Sequence, residues 1–227
     1  MASPRVDIIS IGTLGRNRLW NETDLVRTAH ATTTLIRAGK RAILVDPGLP
    51  PPVIAARLFE RTGQLPGSID TVFLTSFALA SRAGLSAFTK AKILIHENEL
   101  NFARGHLELL LAQSPEEDDD HRHFQTELNL LDSFHPADDK IAPGVDLYPL
   151  FGHTPGTCGL LAASPTSTLL IAGAAVPTID HFLAVQVLPD AQDIKAAQES
   201  MQEVYDIADQ IVPGFDNVFV NPRTRGM

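Results

Sequence analysis

Short apolar runs separated by turn-forming residues recur along most of the chain, and they predict β-strands. The first strand is predicted at 7–12, and two more fall within 30–46. Further buried strands are predicted at 71–75 and 91–96. Strands return after Val145, where the runs VDLYPL, CGLLAAS and STLLIAG follow one another. Strands are therefore expected in both halves of the chain.

Apolar residues at helical spacing predict helices between these strands. One helix is predicted after the proline-rich loop at 46–52, a short one near 82–88, and a final amphipathic one at about 190–208. Residues 97–131 are mainly helical in pattern, with a solvated acidic stretch at 114–123. The predicted buried stripe of the last helix is Ile194, Ala197, Met201, Val204 and Ile207.

Strands outnumber helices and precede them in pairs, which is typical of mixed sheets with helices outside them. The predicted fold class is α/β (α+β), a four-layer αβ/βα sandwich of two mixed β-sheets flanked by helices. We interpret the chain, residues 1–227, as a single domain with a helical insertion at about 97–135. Residues 75–81 are predicted to form a loop that directly follows a strand.

Composition and charge exclude several classes of partner. The 227-residue chain has a net charge of −9 and a pI near 5.3, so we expect no broad basic surface and no nucleic-acid partner. The N-terminus lacks a signal-peptide pattern and no apolar run approaches the length of a membrane span, so we expect a cytoplasmic protein without a membrane partner. Cys158, the single cysteine, is expected to be buried packing.

Four segments carry an ordered set of motif-like residues. Thr75 and Gly84 frame the stretch TSFALASRAG, and residues 152–156 read Gly-His-Thr-Pro-Gly. The apolar run LLIAGAA passes through Ala174 after a predicted strand. Pro-Gly-Phe follows the last predicted helix and ends at Phe215.

This set resembles the hallmarks of the metallo-β-lactamase superfamily. They are Thr-His-x-His-x-Asp-His-x-x-Gly after a strand, Gly-His-Thr-Pro-Gly, an apolar strand ending in Gly-Asp, and Pro-Gly-His. Asp46, in the sequence VDPG, is similar to the aspartate of the family's Asp-x-Gly loop. The resemblance runs from about residue 7 to 219 and implies a metallo-β-lactamase-like fold. It also implies a pocket in which strand-end loops hold two metals, usually zinc, that activate a bridging water.

Most of the metal ligands that the resemblance implies are replaced in this chain. Of the seven ligand positions, only position 153 keeps a metal-ligating residue, His153. A single imidazole does not hold zinc, because a zinc site takes three or four protein ligands. We therefore expect no bound metal and no cofactor. The seven positions of the expected vestigial pocket are Ser76, Ala78, Ala80, Ser81, His153, Ala174 and Phe215.

The leading hypothesis is a pseudoenzyme, a noncatalytic metallo-β-lactamase-fold protein. Its vestigial pocket is expected to be empty or to bind a small molecule. Small and apolar replacements avoid the desolvation cost of orphaned carboxylates and imidazoles. Phe215 is expected to fill part of the cavity and to leave an apolar pocket with a few hydroxyl groups.

Two hydrolase hypotheses stay open beside it. Ser76 or Ser81 with His153 would form a metal-independent nucleophile–base pair, and Asp216 would be its third member if that side chain points inward. The second alternative is the superfamily's metal-dependent hydrolysis, which the ligand count opposes.

The other histidines give a weaker signal for a displaced metal site. His121 and His123 stand beside the acidic run EEDDD, and a metal site there is weighed against a charged, solvent-exposed turn. His96, His135 and His181 lie near strand ends or loops, from which they would approach the pocket only in the right orientation.

Overall fold

The structure, a computed structural model, describes residues 3–226 and contains two six-stranded β-sheets. In each sheet the strands lie side by side in chain order. The first sheet contains β1 (Arg5–Ser10), β2 (Thr33–Ala38), β3 (Arg41–Val45), β4 (Thr71–Leu74), β5 (Lys92–Ile95) and β6 (Phe134–Pro136). The second sheet contains β7 (Lys140–Ala142), β8 (Val145–Pro149), β9 (Cys158–Ala163), β10 (Thr168–Gly173), β11 (Gln210–Pro213) and β12 (Phe219–Val220).

Both sheets are mixed. In the first sheet β1, β2 and β3 pair antiparallel, whereas the strands from β3 to β6 pair parallel. In the second sheet the strands from β7 to β10 pair antiparallel, β10 runs parallel to β11, and β12 runs antiparallel to β11.

Helices flank the two sheets and connect their strands. Two of them, α3 and α4, lie between β5 and β6, in the region predicted to be a helical insertion. The helices are α1 (Pro51–Thr62), α2 (Leu79–Arg82), α3 (Glu97–Gln113), α4 (Asp119–Leu131), α5 (Ile179–Ala184) and α6 (Ile194–Ile207).

Alternation of side chains along the first sheet separates an inner from an outer apolar layer. On β3, Ile43 and Val45 point between the sheets, where they join a buried cluster with Leu160 and Ile171 of the second sheet. Leu44, the residue between them, points to the opposite face and joins a cluster that includes residues of α1, α3 and α4.

The outer face of the second sheet is covered in the same way. Leu170 and Ile211 form a buried cluster with Phe182 of α5 and with Met201 and Val204 of α6. The layers therefore run helices, sheet, sheet, helices, and the predicted αβ/βα sandwich of two mixed sheets is confirmed.

The segment after β4 differs from its prediction. The loop predicted at 75–81 extends only to Ala78, because Ser81 N donates to the Ala78 carbonyl (2.9 Å) and closes a helical turn there. The helix predicted near 82–88 is instead a 3-10 turn at Leu85–Ala87. Both predicted bounds are wrong by a few residues.

The final helix confirms most of its predicted stripe. Ala197, Met201 and Val204 are buried, but Ile194 is 45% exposed, so its predicted burial is wrong. The reason is that Ile194 is the first residue of α6, whereas the apolar cluster beneath the helix begins at Met201.

Several short elements have no counterpart in the sequence prediction. β6, β7 and β12 contain only two or three residues each, too few to show a period-2 pattern. Helix α5 begins at a cap, because the Thr178 side chain accepts from His181 N (3.3 Å). Within residues 3–226, no helix is both long and apolar enough to cross a membrane.

Candidate functional site

A buried aspartate fixes the start of the loop that follows β4. Asp46 Oδ1 accepts from Thr75 N (2.9 Å), and Asp46 Oδ2 accepts from Thr75 Oγ1 (2.7 Å). The Asp46 carbonyl accepts from Thr33 Oγ1 (2.7 Å), so the ends of three strands, β2, β3 and β4, meet at this residue. Asp46 has a left-handed backbone with φ of 47°, a conformation that aspartate tolerates better than most residues. Burial raises the pKa of Asp46 to about 7.

Glu99 joins this loop to the Gly-His-Thr-Pro-Gly turn at 152–156. Its Oε1 accepts from Phe77 N (2.8 Å), and its Oε2 accepts from Thr154 Oγ1. Burial raises the pKa of Glu99, and the hydrogen bonds that it accepts oppose the shift. This role of Glu99 was not predicted from the sequence. The available signal was a charged residue at i, i+4 spacing from Ala103, on the buried face of α3.

Backbone contacts bring the same two segments together directly. Cys158 N, at the start of β9, donates to the Thr75 carbonyl (3.1 Å). The Cys158 side chain is buried, as predicted, and burial raises the pKa of its thiol well above the usual range. The loop after β4 and the 152–156 turn therefore lie on the same edge of the molecule.

Arg82 joins α2 to α4. Arg82 Nε donates to the Phe77 carbonyl (2.7 Å), and its guanidinium lies 4.0 Å from the centre of the Phe77 ring. The same guanidinium forms a largely buried ion pair with Glu127 of α4. Helix α4 thus holds the loop that carries the predicted pocket residues.

Two glycines allow the second sheet to approach Thr75. A Cβ at Gly173, which has φ of 54°, would lie 2.4 Å from Thr75 Oγ1. A Cβ at Gly214 would lie 2.7 Å from the carbonyl of Gly173. This close approach places Ala174 and Phe215 next to the end of β4.

One cavity of about 430 Å³ opens at this edge and brings together four of the seven predicted pocket residues. Ala78, Ala80, His153 and Phe215 line it. Ser76 and Ser81 are buried, and Ala174 is partly buried, but these three do not belong to the lining. The other lining residues are Leu14, Gly15, Arg16, Arg18, Leu25, Ala29, His181, Leu188, Pro189 and Asp190.

Apart from His181, the lining from residues 14–29 and 181–190 was not predicted from the sequence. These segments join β1 to β2 and β10 to α6, and neither carries a motif of the resembled superfamily. His181 was considered as an approaching histidine, and it does line the cavity, where its Nδ1 is 2.8 Å from Thr178 Oγ1. His96 instead caps α3, and His135 is exposed on β6.

His153 is a neutral imidazole in a mainly apolar cavity. Burial lowers the pKa of His153, and the nearby Asp190 carboxylate opposes that shift. Its Nδ1 is buried without a hydrogen-bond partner among the described residues. Its backbone carbonyl accepts from Gln192 N (3.0 Å), which joins the turn to the chain just after the 181–190 segment.

Ser76 and His153 are not hydrogen-bonded to each other in this geometry. Ser76 Oγ is buried and has no hydrogen-bond partner within residues 3–226, so it does not bond to His153 Nδ1. Asp216 Oδ2 accepts from Ile179 N (3.2 Å) at the start of α5, and its Oδ1 accepts from Asn217 N (2.7 Å). The Asp216 carboxylate is therefore engaged away from the imidazole.

The side chains at this edge do not fit a zinc centre. Of the four predicted residues in the cavity, only His153 carries a metal-ligating group, and zinc sites use three or four such ligands. His181 and Asp190 also line the cavity, yet no three His, Cys, Asp or Glu side chains in residues 3–226 are grouped to hold a metal. His121, considered for a displaced site, lies with its Nδ1 3.2 Å from Ser114 Oγ.

The fold and the position of the cavity define the class of protein as an αβ/βα sandwich with a site at its strand-end loops. No protein-family model and no curated protein match the sequence. Solved structures do match it. One is a provisionally named metallo-β-lactamase from Thermotoga maritima, with 15% sequence identity and a TM-score of 0.70. The aligned region covers 96% of this chain and 100% of that chain.

Two further structures agree with this match. A provisionally named metal-dependent hydrolase from Staphylococcus aureus covers 95% of this chain over 91% of its own, at 14% identity and a TM-score of 0.69. The dizinc quorum-quenching lactonase AidC covers 90% of this chain over 80% of its own, at 15% identity and a TM-score of 0.63. The chain therefore has the metallo-β-lactamase fold, and the predicted resemblance is confirmed for the fold.

Proposed function

We propose that this chain is a noncatalytic, metal-independent relative of the metallo-β-lactamase-fold hydrolases whose cavity binds a small molecule. The observation that carries the proposal is the lining of the cavity. At positions where the motifs of the superfamily place metal ligands, the wall presents the side chains of Ala78, Ala80 and Phe215. A wall of this kind supplies neither the donors that hold zinc nor the water that zinc activates.

The loops around the cavity are held by hydrogen bonds within the protein. Asp46 holds Thr75, and Glu99 holds Phe77 and Thr154. In a metal site, ligand bonds tie such loops together and contribute to folding. Here buried carboxylates serve that purpose, which supports a cavity that keeps its shape without metal.

The size and chemistry of the cavity suit a small organic ligand. Its volume of about 430 Å³ lies in the range of about 300–1,000 Å³ typical of small-molecule sites. Leu188, Phe215 and the two alanines give it apolar walls, and a few polar groups such as His153 remain to orient a ligand.

A hydrolysis assay tests the noncatalytic part of the proposal. The purified protein is assayed with an activated aryl ester, a simple lactone and a β-lactam, with and without added zinc. We expect no rate above the uncatalysed background. Activated esters are the sensitive probe, because they need little help to the leaving group and reveal even a poor serine nucleophile.

Variants separate true catalysis from contamination. Any rate is measured again in Ser76→Ala, Ser81→Ala and His153→Ala, with Ser68→Ala and His106→Ala as exposed controls. Residues of a catalytic pair act as a unit, so a true pair loses nearly all of its rate when either member is removed. A rate that survives chelation but disappears in His153→Ala and in one serine variant would overturn the proposal.

Metal analysis tests the metal-independent part. Protein purified without a histidine tag is analysed for zinc, iron and manganese, before and after dialysis against zinc. We expect far less than one metal per chain. Near-stoichiometric metal that is lost in His153→Ala would show that the cavity still holds a metal ion.

A further inference from the structure

One wall of the cavity comes from an ordered segment between β1 and β2. Asn17 Oδ1 accepts from Leu19 N (3.0 Å) and begins a 3-10 turn at Arg18–Trp20. Glu22 Oε2 accepts from Asn17 N (2.6 Å) and also pairs with Arg27. These internal bonds give the segment a defined shape, although it contains no α-helix or long strand.

Two arginines of this segment, Arg16 and Arg18, line the cavity. Arg16 Nη1 donates to the Thr23 carbonyl (2.9 Å), which positions its guanidinium. Among the ion pairs of residues 3–226, neither Arg16 nor Arg18 has a carboxylate partner. Arg27, on the same segment, is paired with Glu22. Of the three arginines of this segment, the two that line the cavity are thus the ones without a carboxylate partner.

The remaining polar groups of the wall leave this positive charge uncancelled. Asp190 is the single carboxylate of the lining. Burial lowers the pKa of both His153 and His181, so the two imidazoles are neutral near pH 7. Two cations against one anion is a local excess of positive charge, in a chain whose net charge is −9.

The apolar part of the lining surrounds these charges. Leu14 and Leu25 come from the segment that carries the arginines, and Leu188, Pro189 and Phe215 come from the other side. Leu25 is 81% exposed and lines the cavity, so it places an apolar surface at the mouth. The cavity thus combines cationic donors with apolar contact surface.

We propose that the ligand of this cavity is a small amphipathic organic anion. Its anionic group lies against Arg16 and Arg18, and its apolar portion packs on Leu25, Leu188 and Phe215. Guanidinium groups suit this role, because their planar donors match a carboxylate and are less strongly hydrated than an ammonium group. The inference rests on the proposed function, which supplies the ligand-binding cavity, and adds the chemical class of the ligand.

Calorimetric titration with three probes of equal chain length tests the charge preference. The probes are octanoate, 1-octanol and octylammonium. One charge-assisted hydrogen bond corresponds to a factor of about ten or more in affinity, so octanoate is expected to bind at least about tenfold more tightly than octanol. Octylammonium is expected to bind most weakly, because its charge opposes the two arginines.

Arginine variants locate the effect. Arg18→Gln is expected to weaken octanoate by about tenfold and to leave octanol unchanged, because only the charged probe uses the guanidinium. Arg18 is exposed, so its replacement does not disturb the core. Arg18→Glu is expected to abolish octanoate binding and to favour octylammonium. Arg61→Gln, an exposed arginine of α1 outside the cavity, is the matched control and is expected to bind all probes like the wild type.

A pocket-filling variant separates specific from nonspecific binding. Ala78 is exposed and lines the cavity, so Ala78→Trp is expected to remove binding of octanoate and octanol alike. Equal affinity for octanoate and octanol, or octanoate binding that survives Arg18→Glu, would overturn the charge preference and leave the metal-free binding cavity standing. Absence of octanoate binding also overturns it. Hydrolysis that depends on His153 would instead overturn the proposed function.

Discussion

Asp46 and Thr75 are joined by two hydrogen bonds in the interior of the protein, one to the backbone N–H and one to the hydroxyl of the threonine. The carboxyl group is fully buried, and burial raises its pKa from 3.8 to about 7. The contact therefore fixes the end of β4 and also links the stability of the fold to pH.

The sign of that link follows from the direction of the pKa shift. Between pH 3.8 and about 7 the folded protein holds a proton on Asp46 that the unfolded chain has released. The contribution of Asp46 to the free energy of unfolding is thus most favourable below pH 3.8 and falls as pH rises, by at most about 1.4 kcal/mol per unit, until about pH 7. Asp46→Asn, which carries no charge, should lack this contribution.

Denaturant titrations of wild type and Asp46→Asn between pH 4 and 8 measure the contribution of Asp46 to the free energy of unfolding. We expect the difference in unfolding free energy to change with pH in favour of the asparagine variant at the alkaline end. Asp138→Asn, at an exposed aspartate, is the control and should follow the wild type. Parallel curves for wild type and Asp46→Asn would contradict the assigned pKa.

Glu99 is expected to be a major contributor to stability. Glu99→Ala leaves Phe77 N without its acceptor and removes one of the two hydrogen-bond partners of Thr154 Oγ1. The other partner is Thr157 Oγ1 at 2.6 Å. A buried group left unsatisfied costs about 1–3 kcal/mol. The expected loss of unfolding free energy is about 3 kcal/mol in total. Glu108→Ala, at an exposed position of the same helix, should change stability by less than about 0.5 kcal/mol.

A conservative variant shows whether the hydrogen bonds are the cause. Glu99→Gln keeps an oxygen for Phe77 N and should restore part of the loss. If Glu99→Ala and Glu108→Ala prove equally stable by denaturant titration, Glu99 does not hold the two loops together.

Gly173 should tolerate no side chain. Its backbone φ is 54°, and a Cβ would lie 2.4 Å from Thr75 Oγ1, so Gly173→Ala is expected to destabilise the fold by more than about 2 kcal/mol. Gly105 lies in α3 with open space around it. Gly105→Ala is expected to stabilise by up to about 1 kcal/mol, because alanine favours the helix. Thermal denaturation of both variants measures the contrast, and a Gly173→Ala protein as stable as the wild type would contradict the close approach.

Chelation is expected to leave the melting temperature unchanged. No metal-binding free energy contributes to folding if the loops are held by Asp46 and Glu99 alone. Phe215→His, which adds an imidazole beside His153, should bind no zinc tightly either, because His153, His181 and Asp190 line the cavity but are not grouped to hold a metal among the described residues. A fall in melting temperature with chelator, measured by calorimetry, would show a metal that stabilises the native state.

The sequence carried most of the fold because its patterns are long. The apolar runs of β3 and β10 and the helical stripe of α6 extend over five or more residues, enough to be recognised in the sequence. The intact Gly-His-Thr-Pro-Gly turn at 152–156 and the motif glycines near Thr75, which are Gly173 and Gly214, indicated the order of the site loops along the chain. Two-residue and three-residue strands such as β12 and β6 fell below that limit.

The cavity was foreseen only in part, for a different reason. Ala78, Ala80 and Phe215 could be placed through motifs, because their neighbours in the chain keep a recognisable spacing. Arg16 and Asp190 come from segments without a motif, and only the folded chain brings them to the same cavity. The role of Glu99 could not be predicted for another reason. A glutamate in the first turn of a helix normally indicates only a favourable interaction with the helix dipole.

The ion pair between Arg82 and Glu127 also has a mechanical meaning. It couples α4, and with it the acidic surface at 114–120, to the short helix that borders the cavity. A tether of this kind stiffens the border, so a ligand of the proposed class would meet a preformed recess and would spend little of its binding free energy on ordering the loop. Glu127→Gln, which removes this ion pair, would leave the border of the cavity more mobile. The proposed cavity would then accept a broader range of ligands and bind each of them more weakly.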